Sequence, residues 1–583
     1  MNLIWQPIAK VANQKTLPPI SEIFVPLHSF ILKIALLKNP EFTIPSIFDS
    51  TVKRFAGYNA LSLVGETPMT YSRLKSRVFA LISFLEKKGI NKGDKVAILS
   101  ANMPQWGVAY FAITSMGAIA VPLLPDFHPS EISTILEHSE AKILFISSSL
   151  KAKMNEINVN TLQSMISIED YSVISMDQAN ITFDPDAMPD KEYIVEEDDL
   201  ASIIYTSGTT GNSKGVMLSH KNICFTAQKS AIIQPINEND RFLSVLPMAH
   251  AYENTLGLIL PMMFGACVYY LNKPPTPSIL LPALQEVQPT IMLTVPLIIE
   301  KIYRNKILPA FSGNFITRNL YRSTYFRKRL NGIAGRKLMK TFGGKLHFFG
   351  IGGAKLDKNV EQFLIEAKFP YAIGYGLTES APLLAGFGPA NPVLQSTGPA
   401  MEGVTLKINN PDPLTGEGEI WGKGPNVMKG YYKQPALTSE MITPDGWLKT
   451  GDLGVFDNKN NLFIKGRIKN VIVGPSGENI YPEEIESVIN NFQHVLESLV
   501  IEKKGKLIAM VHFNIAEIEE RYKGVKENVS NYLDTVIEDL LRELQEYVNS
   551  RVNKFSRLQL VVAQPDPFQK TATQKIKRFL YTV

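Results

Sequence analysis

The chain has 583 residues, of which 45% are hydrophobic and 20% charged, and its formal net charge is +5. This length exceeds what one hydrophobic core supports, so two or more domains are expected, and the composition excludes wholesale disorder. A charge this small gives no reason to expect a nucleic-acid partner. The only two cysteines, Cys224 and Cys267, lie in apolar surroundings, which argues against a disulfide framework or a zinc site and indicates a reducing, cytoplasmic compartment.

Residues 1–43 form an extension ahead of the regular pattern. They lack the basic region, apolar core and small-residue cleavage site of a signal peptide. The apolar stretch 23–37 contains Pro26 and Lys33 and is shorter than a membrane-spanning helix requires. Two interpretations stay open: an amphipathic helix on a lipid surface, and a helix packed on the protein's own body.

From Ile44 onward, short buried strands alternate with helices. A turn feeds a buried strand at residues 93–100, a helix follows over 102–116, and a second strand covers 118–123. The same order recurs at 131–147 and 279–294. Strand, helix and strand in one direction form a parallel sheet with right-handed crossovers. The pattern predicts an α/β fold with a large N-terminal domain of parallel sheets.

The segment 301–345 is strongly basic. It holds twelve lysines and arginines, and no acidic residue follows until Asp357. A solvated helical face and a surface attracted to anionic membrane or to substrate phosphates both agree with this pattern, so a peripheral contact with the inner face of the membrane stays open. The aromatic residues interspersed in it are Tyr303, Phe311, Phe315, Tyr321, Tyr325 and Phe326.

Composition shifts twice in the rest of the chain. From residue 398 short strands and turns dominate, which predicts a small β-subdomain. After Arg467 strands alternate with long charged helices, which predicts a small, mobile α+β domain. We place the domain boundary so that residues 44–468 form the large domain and residues 469–583 the small one.

The segment Tyr205–Gly215, YTSGTTGNSKG, has the composition of a triphosphate-binding loop. Three glycines let the backbone approach an anion closely, several hydroxyls can donate to phosphate oxygens or ligate a metal, and Lys214 supplies a cation. The spacing of a Walker loop is absent, and a plain turn between strands has a similar composition. The order of the residues is more specific. It resembles the phosphate loop of the adenylate-forming superfamily, which includes acyl-CoA synthetases, luciferases and adenylation domains of peptide synthetases.

Five later segments resemble motifs of the same superfamily and follow in the same order. Each segment alone has a plain structural explanation, such as a core histidine, a turn or a basic tail. No single structural explanation covers the phosphate loop and the five later segments in this order. In the last segment, Gln574 stands where the superfamily commonly has glycine. The five are LPMAHAYE with His250; FFGIGGA with Gly352, Gly353 and Ala354; YGLTE with Tyr375, Gly376, Thr378 and Glu379; Asp452 and Arg467 followed by Lys469; and KTATQKIK with Lys575.

The resemblance implies where ATP and Mg²⁺ bind. The loop would hold the phosphates, and Glu379 with Thr206 would hold Mg²⁺. Tyr375 would stack on the adenine, and Asp452 with Arg467 would bind the ribose. The nucleotide-binding residues implied in this way are Thr206, Ser207, Gly208, Thr209, Thr210, Gly211, Lys214, Gly352, Gly353, Ala354, Tyr375, Gly376, Asp452 and Arg467.

The resemblance also implies the catalytic residues and two successive reactions. His250 would orient the substrate carboxylate, Thr378 would touch the α-phosphate, and Glu379 would act through its Mg²⁺. Lys575 would sit near the carboxylate and the α-phosphate until the small domain turns about Lys469 and presents the loop 476–480 to CoA. The implied enzyme is an AMP-forming long-chain fatty acid–CoA ligase that uses ATP, Mg²⁺ and CoA, as a monomer or homodimer.

The assignment of a long-chain fatty acid as the substrate depends on the LPMAHAYE motif and on the apolar stretch Leu256–Phe264. This stretch has the composition expected for the wall of a tunnel that holds the acyl chain. Three alternatives stay open. A fatty acyl-AMP ligase would pass the acyl group to a carrier protein, and an aryl- or medium-chain acyl-CoA ligase would take a shorter acid. A membrane-associated acyl or nucleotide sensor would perform no chemistry, and the intact lysines Lys214 and Lys575 argue against it.

Overall fold

The computed structural model describes residues 42–157, 159–175, 181–207, 213–312, 315–474, 478–503, 505–522, 529–571 and 575–582. The predicted extension therefore lies almost wholly outside the described residues. Outside them also lie Gly208, Thr209, Thr210, Gly211 and Gln574.

The first of two eight-stranded sheets carries much of the predicted site at its edge. Its six central strands run parallel, and the two edge strands are antiparallel to their neighbours. Parallel strands of this kind are buried on both faces and read as short apolar runs, which is why the alternation with helices was visible in the sequence. In spatial order the strands are Ala385–Phe387, Tyr371–Tyr375, Phe348–Ile351, Ile291–Thr294, Arg241–Ser244, Cys267–Tyr270, Asn59–Leu63 and Met69–Thr70.

The second eight-stranded sheet contains the phosphate-loop hairpin. Strands Leu200–Ser207 and Ser213–Ser219 pair antiparallel on either side of the loop. Leu200–Ser207 continues into four further parallel strands that end in the antiparallel strand Val173–Ser175, and at the other edge Gly430–Tyr431 pairs antiparallel with Ser213–Ser219. In spatial order they are Gly430–Tyr431, Ser213–Ser219, Leu200–Ser207, Ile119–Leu123, Lys95–Leu99, Ala141–Ile146, Ser164–Ser167 and Val173–Ser175.

Helices cover both faces of the first sheet. The largest apolar core joins side chains of the two sheets with helix Pro104–Ser115, which is apolar all round and therefore buried on every side. A second core lies on the opposite face of the first sheet, under helices Pro277–Val287 and Lys358–Ala367. The helices of the described large domain are Ile44–Phe55, Tyr71–Lys87, Pro104–Ser115, Pro129–Ser139, His220–Ile233, Ala251–Glu253, Leu260–Met263, Pro277–Val287, Pro296–Ile302, Leu308–Ser312, Phe315–Arg322, Thr324–Thr341, Lys358–Ala367 and Pro435–Met441, with 3₁₀ or π turns at Ser148–Glu156, Asn254–Ile259, Tyr303–Ile307 and Thr378–Ser380.

A four-stranded antiparallel sheet precedes the C-terminal part. A single 3₁₀ turn, Ile468–Asn470, connects it to a unit with its own apolar core. The predicted fold class, α/β with a smaller α+β domain, is confirmed. The strands of the four-stranded sheet are Thr405–Asn409, Gly418–Lys423, Leu448–Phe456 and Leu462–Arg467; the C-terminal unit has strands Ile472–Val473, Asn479–Ile480, Val495–Lys503, Lys506–Phe513 and Leu560–Ala563, helices Pro482–Ile489, Ile515–Tyr522 and Val529–Asn549, and 3₁₀ turns Lys554–Ser556 and Arg578–Leu580.

Within the described part of the chain, no helix combines the length and the apolar character needed to cross a membrane.

Candidate active site

The predicted adenine residues lie where two neighbouring parallel strands of the first sheet end. Gly352 follows strand Phe348–Ile351, and Tyr375 ends the next strand. Ligands of open α/β sheets bind at this carboxyl edge. Only glycine fits at position 376, because a Cβ there would lie 1.8 Å from the carbonyl oxygen of Pro382. Gly353 has a φ of +86°, which favours glycine, and it and Ala354 are exposed along this edge.

The predicted ribose residues are brought together directly. Arg467 Nε lies 2.8 Å from Asp452 Oδ1, and the Tyr375 hydroxyl donates to Asp452 Oδ2 over 2.9 Å. Burial raises the pKa of Asp452, and the charge of Arg467 opposes this shift. Asp452 and Arg467 also pair across adjacent strands of the four-stranded sheet. The arrangement orients both carboxylate oxygens toward the edge where Tyr375 stands.

The base of the phosphate-loop hairpin carries a cation and two hydroxyls. Thr206 pairs with Lys214 across the two strands, and Ser207 pairs with the first residue of the second strand. Lys214 Nζ lies 5.4 Å from the centre of the Tyr431 ring, a cation–π contact. The Tyr431 hydroxyl in turn donates to Glu379 Oε1 over 2.8 Å. Tyr431 therefore joins the predicted phosphate cation to the predicted metal ligand.

Sequence reasoning missed Tyr431. It lies on a two-residue strand, Gly430–Tyr431, that pairs with Val216 and Met217 at the edge of the second sheet. The backbone of Met428 also donates to the carbonyl of Glu379 over 2.9 Å. A contact that depends on pairing between segments over two hundred residues apart leaves no local signal.

The donor set around Glu379 suits Mg²⁺ bound together with a nucleotide. Among the residues that the structure describes, no group of three or more His, Cys, Asp or Glu side chains is placed to hold a metal ion. Mg²⁺ commonly takes one or two carboxylates and completes its shell with water and substrate phosphates. Glu379 and the Thr206 hydroxyl, beside a phosphate loop, fit that requirement.

His250 begins the short helix Ala251–Glu253 and is held in one orientation. Its Nδ1 accepts from the backbone N of Tyr252 over 3.2 Å. Burial, together with the charge of Lys575, lowers the pKa of His250 to about 4. The ring is therefore neutral at pH 7, and because Nδ1 accepts, its proton sits on Nε2. A neutral donor of this kind can hydrogen-bond a carboxylate oxygen.

Asn102 fixes the turn that precedes His250. Its Nδ2 donates to the Leu246 carbonyl over 2.6 Å and to Ser244 Oγ over 3.0 Å, while its Oδ1 accepts from the Met248 backbone over 2.9 Å. The sequence showed Asn102 only as the start of a helix. It is a positioning residue for the segment that carries His250.

Glu253 lies one helical turn after His250 and is 2% exposed. Burial raises its pKa to about 8, so the carboxyl group is protonated at pH 7. Its Oε2 has no hydrogen-bond partner, and a Cβ on Gly257 would lie 2.6 Å from the carboxyl carbon. The π turn Asn254–Ile259 thus packs tightly around a neutral acid.

Lys575 reaches this site from the C-terminal domain. Its charge lowers the pKa of both His250 and Asp452, and Glu379 acts on it in return. The side chain remains exposed in the cleft, yet the protein around it and the charge of Arg467 lower its pKa. Residues of the large domain and of the C-terminal domain therefore meet around one cleft.

A narrow apolar cavity begins at Tyr252, two residues after His250. Tyr252 stands at this end, against the backbone of Gly350 and Gly352, and Leu256 and Leu260 of the predicted tunnel wall line it. We call it the apolar cavity below.

Polar contacts hold the C-terminal domain against the large one. Asp357 caps helix Lys358–Ala367 through Oδ1, while Asn491 and Ser487 of the C-terminal domain donate to its Oδ2. Tyr481 donates to Glu417 over 2.6 Å. The predicted hinge residue Lys469 is exposed in the connecting 3₁₀ turn.

Comparison with known proteins gives a family and a fold. The sequence profile of the AMP-binding enzyme family matches residues 48–432. The chain is 28% identical to the long-chain-fatty-acid–CoA ligase heimdall of Drosophila melanogaster, over 77% of this chain and 73% of that protein. It is 26% identical to a chloroplastic long-chain-fatty-acid–[acyl-carrier-protein] ligase of Arabidopsis thaliana, over 97% and 89%. The fold is similar to that of o-succinylbenzoate CoA synthetase from Bacillus subtilis in complex with its acyl-adenylate intermediate, with a TM-score of 0.71, 24% identity, and 92% and 98% of the two chains covered.

Proposed function

The chain belongs to the family of AMP-binding enzymes, and from this premise we propose that it activates a long-chain fatty acid with ATP and transfers the acyl group to CoA. The products are acyl-CoA, AMP and pyrophosphate. The observation that carries the choice of acid is the apolar cavity that begins at Tyr252, two residues after His250, because an aliphatic chain needs a dry, apolar wall and a carboxylate needs a donor nearby. The similarity to long-chain-fatty-acid–CoA ligases supports the same substrate class.

The first reaction joins two anions. A carboxylate oxygen of the fatty acid attacks the α-phosphorus of ATP, and the bond to the pyrophosphate oxygen breaks. His250 Nε2–H holds the carboxylate, while Lys575, Lys214 and Thr378 stabilise the charge on the phosphates. Mg²⁺ held by Glu379 and Thr206 would screen the same charge when bound. Asp452 with Arg467 and Tyr375 fixes the nucleoside at the other end.

The second reaction needs a different arrangement of the two domains. The sulfur of CoA attacks the acyl carbonyl carbon, and AMP leaves with the electron pair of the broken C–O bond. Lys575 occupies the cleft in the present arrangement, so the thiol reaches the carbonyl after the C-terminal domain turns. We assign the pivot to Lys469 and the domain boundary to residues 468 and 469. The exposed position of Lys469 in a single turn supports this assignment.

A carrier protein is the alternative acceptor of the acyl group. The Arabidopsis relative that matches nearly the whole chain is a ligase for acyl carrier protein. The thiol of a carrier's phosphopantetheine performs the same chemistry as that of CoA, and the adenylation site is shared. CoA remains our first choice because CoA ligases make up most of the relatives with the strongest sequence similarity.

Pyrophosphate release with ATP and Mg²⁺ tests the proposal. Acids from acetate to oleate, and benzoate, are compared with CoA, with an acyl carrier protein, and with neither acceptor. Release with long chains and conversion to the CoA thioester is the expected result. Thioester formation only on the carrier would favour the carrier ligase, and a preference for benzoate or short acids would exclude the long-chain assignment. The absence of release with every acid would favour the sensor.

We also propose that the basic segment 301–345 contacts an anionic membrane surface. Phe315 is 68% exposed and Tyr325 is 61% exposed, and each ring has an arginine guanidinium over it, at 5.7 Å from Arg318 and 5.1 Å from Arg329. Exposed aromatic rings beside cations are typical of side chains that insert at the headgroup level. A membrane contact at this surface would place the enzyme where its substrate is dissolved.

A further inference from the structure

The far end of the apolar cavity is a separate feature from the site at its mouth. Phe348 and Gly350 both line the cavity, because alternate residues of a strand share one face. Following that strand backward from Gly352 to His347 leads from the carboxyl edge of the first sheet to its amino edge, roughly 16 Å at about 3.3 Å per residue. The cavity therefore runs along the strands, away from the predicted nucleotide site.

At the amino edge a single layer of side chains separates the cavity from solvent. Ile233 and Gln234, at the end of helix His220–Ile233, line the cavity and are themselves partly exposed. Ile236 also lines this end and is buried. Gln234 is the only amide among the residues found to line the cavity, in a wall that is otherwise almost wholly apolar.

The amide of Gln234 is turned away from the cavity and toward an anchored histidine. Its Nε2 lies 3.2 Å from His347 Nδ1 and 3.2 Å from the Pro235 carbonyl. His347 Nε2 lies 2.8 Å from Asp240 Oδ1. His347 Nε2 carries the proton that it donates to Asp240. The lone pair of the neutral ring is therefore on Nδ1, which accepts from the Gln234 amide.

Asp240 is held by several hydrogen bonds, whereas the Gln234 amide is held only weakly. Asp240 is 4% exposed by side chain, and it also accepts from the hydroxyl of Thr290 over 2.8 Å and from the backbone of Asn237 over 2.8 Å. Gln234 follows the last helical residue and has an extended backbone, and two neutral hydrogen bonds fix its side chain. Neutral hydrogen bonds that water can replace hold a partly exposed side chain only weakly.

We infer that Gln234 is a side-chain gate at the far end of the cavity, which sets the length of acyl chain that the closed enzyme accepts. With Gln234 bonded to His347 the cavity is closed, and a chain that fits inside it is bound. A longer chain displaces the Gln234 side chain and extends into solvent. Gln234 is thus a specificity-determining residue, and this inference deepens the proposed function and rests on it.

Three variants test the role of Gln234. Gln234→Ala removes the gate. Gln234→Glu keeps its shape but replaces the amide donor with a carboxylate, which faces the lone pair of His347 Nδ1 and weakens the closed position. Ile232→Ala is the matched control, since Ile232 is 43% exposed, lies two residues away and is absent from the cavity wall. Octanoate, dodecanoate, hexadecanoate and docosanoate are compared by kcat/KM for pyrophosphate release and, separately, by calorimetric binding without ATP.

The expected result is a change in chain-length profile rather than in overall activity. Gln234→Ala raises the ratio of docosanoate to dodecanoate at least fivefold, Gln234→Glu raises it by a smaller factor, and Ile232→Ala keeps the wild-type profile. Identical profiles for the wild type and both Gln234 variants would overturn the gate while leaving fatty acid activation intact. If the wild type binds fatty acids but releases no pyrophosphate, the proposed function fails and the binding profiles still decide the gate. If no fatty acid binds, both proposals are overturned.

Discussion

The hydroxyl of Tyr375 donates a hydrogen bond of 2.9 Å to Asp452, although the two residues lie 77 positions apart in the chain. Tyr375 ends a strand of the first sheet, and Asp452 belongs to the four-stranded sheet. The bond joins the two sheets at the point where the proposed adenine and ribose positions meet. One carboxylate is thus oriented from both sides, by a tyrosine and by an arginine.

Removing the hydroxyl tests whether this bond orients the nucleotide. In Tyr375→Phe the buried Asp452 loses one of two donors, and a hydrogen bond to a charged group contributes about 1.5 kcal/mol. We expect KM for ATP to rise roughly tenfold, with kcat changed less. Tyr193→Phe is the matched control, because that hydroxyl donates to Glu86 over 3.0 Å far from the site. An unchanged KM would show that Arg467 alone holds Asp452.

Lys575→Ala separates the two reactions. Lys575 acts on charge that develops during adenylation, so pyrophosphate release should fall about 100-fold or more. Conversion of supplied acyl-AMP to acyl-CoA should stay within a few-fold of the wild-type rate. Lys577→Ala, two residues away, should change neither reaction. Equal losses in both half-reactions would mean that Lys575 supports the structure of the cleft rather than the first reaction.

The protonated Glu253 predicts a pH dependence of stability. Its pKa rises from an ordinary carboxyl value to about 8 on folding, so the folded state binds one proton more between those values and loses stability as pH rises. His250, with its pKa lowered to about 4, has the opposite effect below its ordinary value and none above pH 7. Between pH 6.5 and 7.5 Glu253 contributes roughly 1 kcal/mol per pH unit, and comparison with a variant that lacks only this carboxyl cancels the opposing effect of the histidines.

Glu253→Gln removes this titration while keeping the shape of the side chain. Urea unfolding of wild type and variant at pH 6.5, 7.0 and 7.5 measures the difference. We expect the stability of the variant relative to wild type to increase with pH over this window. Parallel curves would show that Glu253 is already ionised at pH 6.5.

The docking contact at Asp357 predicts an effect on one half-reaction. Asn491→Ala removes a donor to its Oδ2 and weakens the arrangement in which Lys575 reaches the cleft. Adenylation should slow a few-fold, and thioester formation from supplied acyl-AMP should be unchanged or faster. Asn549→Ala is the control, because it removes hydrogen bonds to Leu558 within the C-terminal domain. Equal slowing by both variants would indicate general destabilisation of that domain.

Vesicle sedimentation tests the basic segment. Wild-type protein should bind vesicles containing phosphatidylglycerol more strongly than phosphatidylcholine vesicles, and added salt should weaken the binding. Phe315→Ser with Tyr325→Ser should reduce it several-fold. The control pair is Ile194→Ser with Leu414→Ser, which removes side chains 81% and 95% exposed outside the segment. If both pairs behave alike, or if neither vesicle binds, the segment is only a solvated helical surface.

The architecture was predictable because buried parallel strands and their crossover helices leave a local pattern, as at Lys95–Leu99 and Pro104–Ser115. The pairing of Asp452 with Arg467 agrees with what the family resemblance implied, since each residue lies in a short contiguous motif. The bond between Tyr375 and Asp452 was not, because it depends on how one sheet meets another. Tyr431 and Gln234 also left no pattern, since a two-residue strand and a helix end acquire their partners only in the folded chain.

Asp357 serves two parts of the molecule with its two oxygens, and this has a consequence for how the C-terminal domain returns. The helix cap at Oδ1 belongs to the large domain alone, so the carboxylate keeps its orientation when Asn491 and Ser487 leave. The departed domain stays tethered through the turn Ile468–Asn470, and short tethers give effective concentrations in the millimolar range. Because Asp357 is already oriented and the tethered domain cannot diffuse away, weak contacts are enough for Asn491 and Ser487 to bind Asp357 again. In the proposed cycle the enzyme therefore releases the domain readily without losing it.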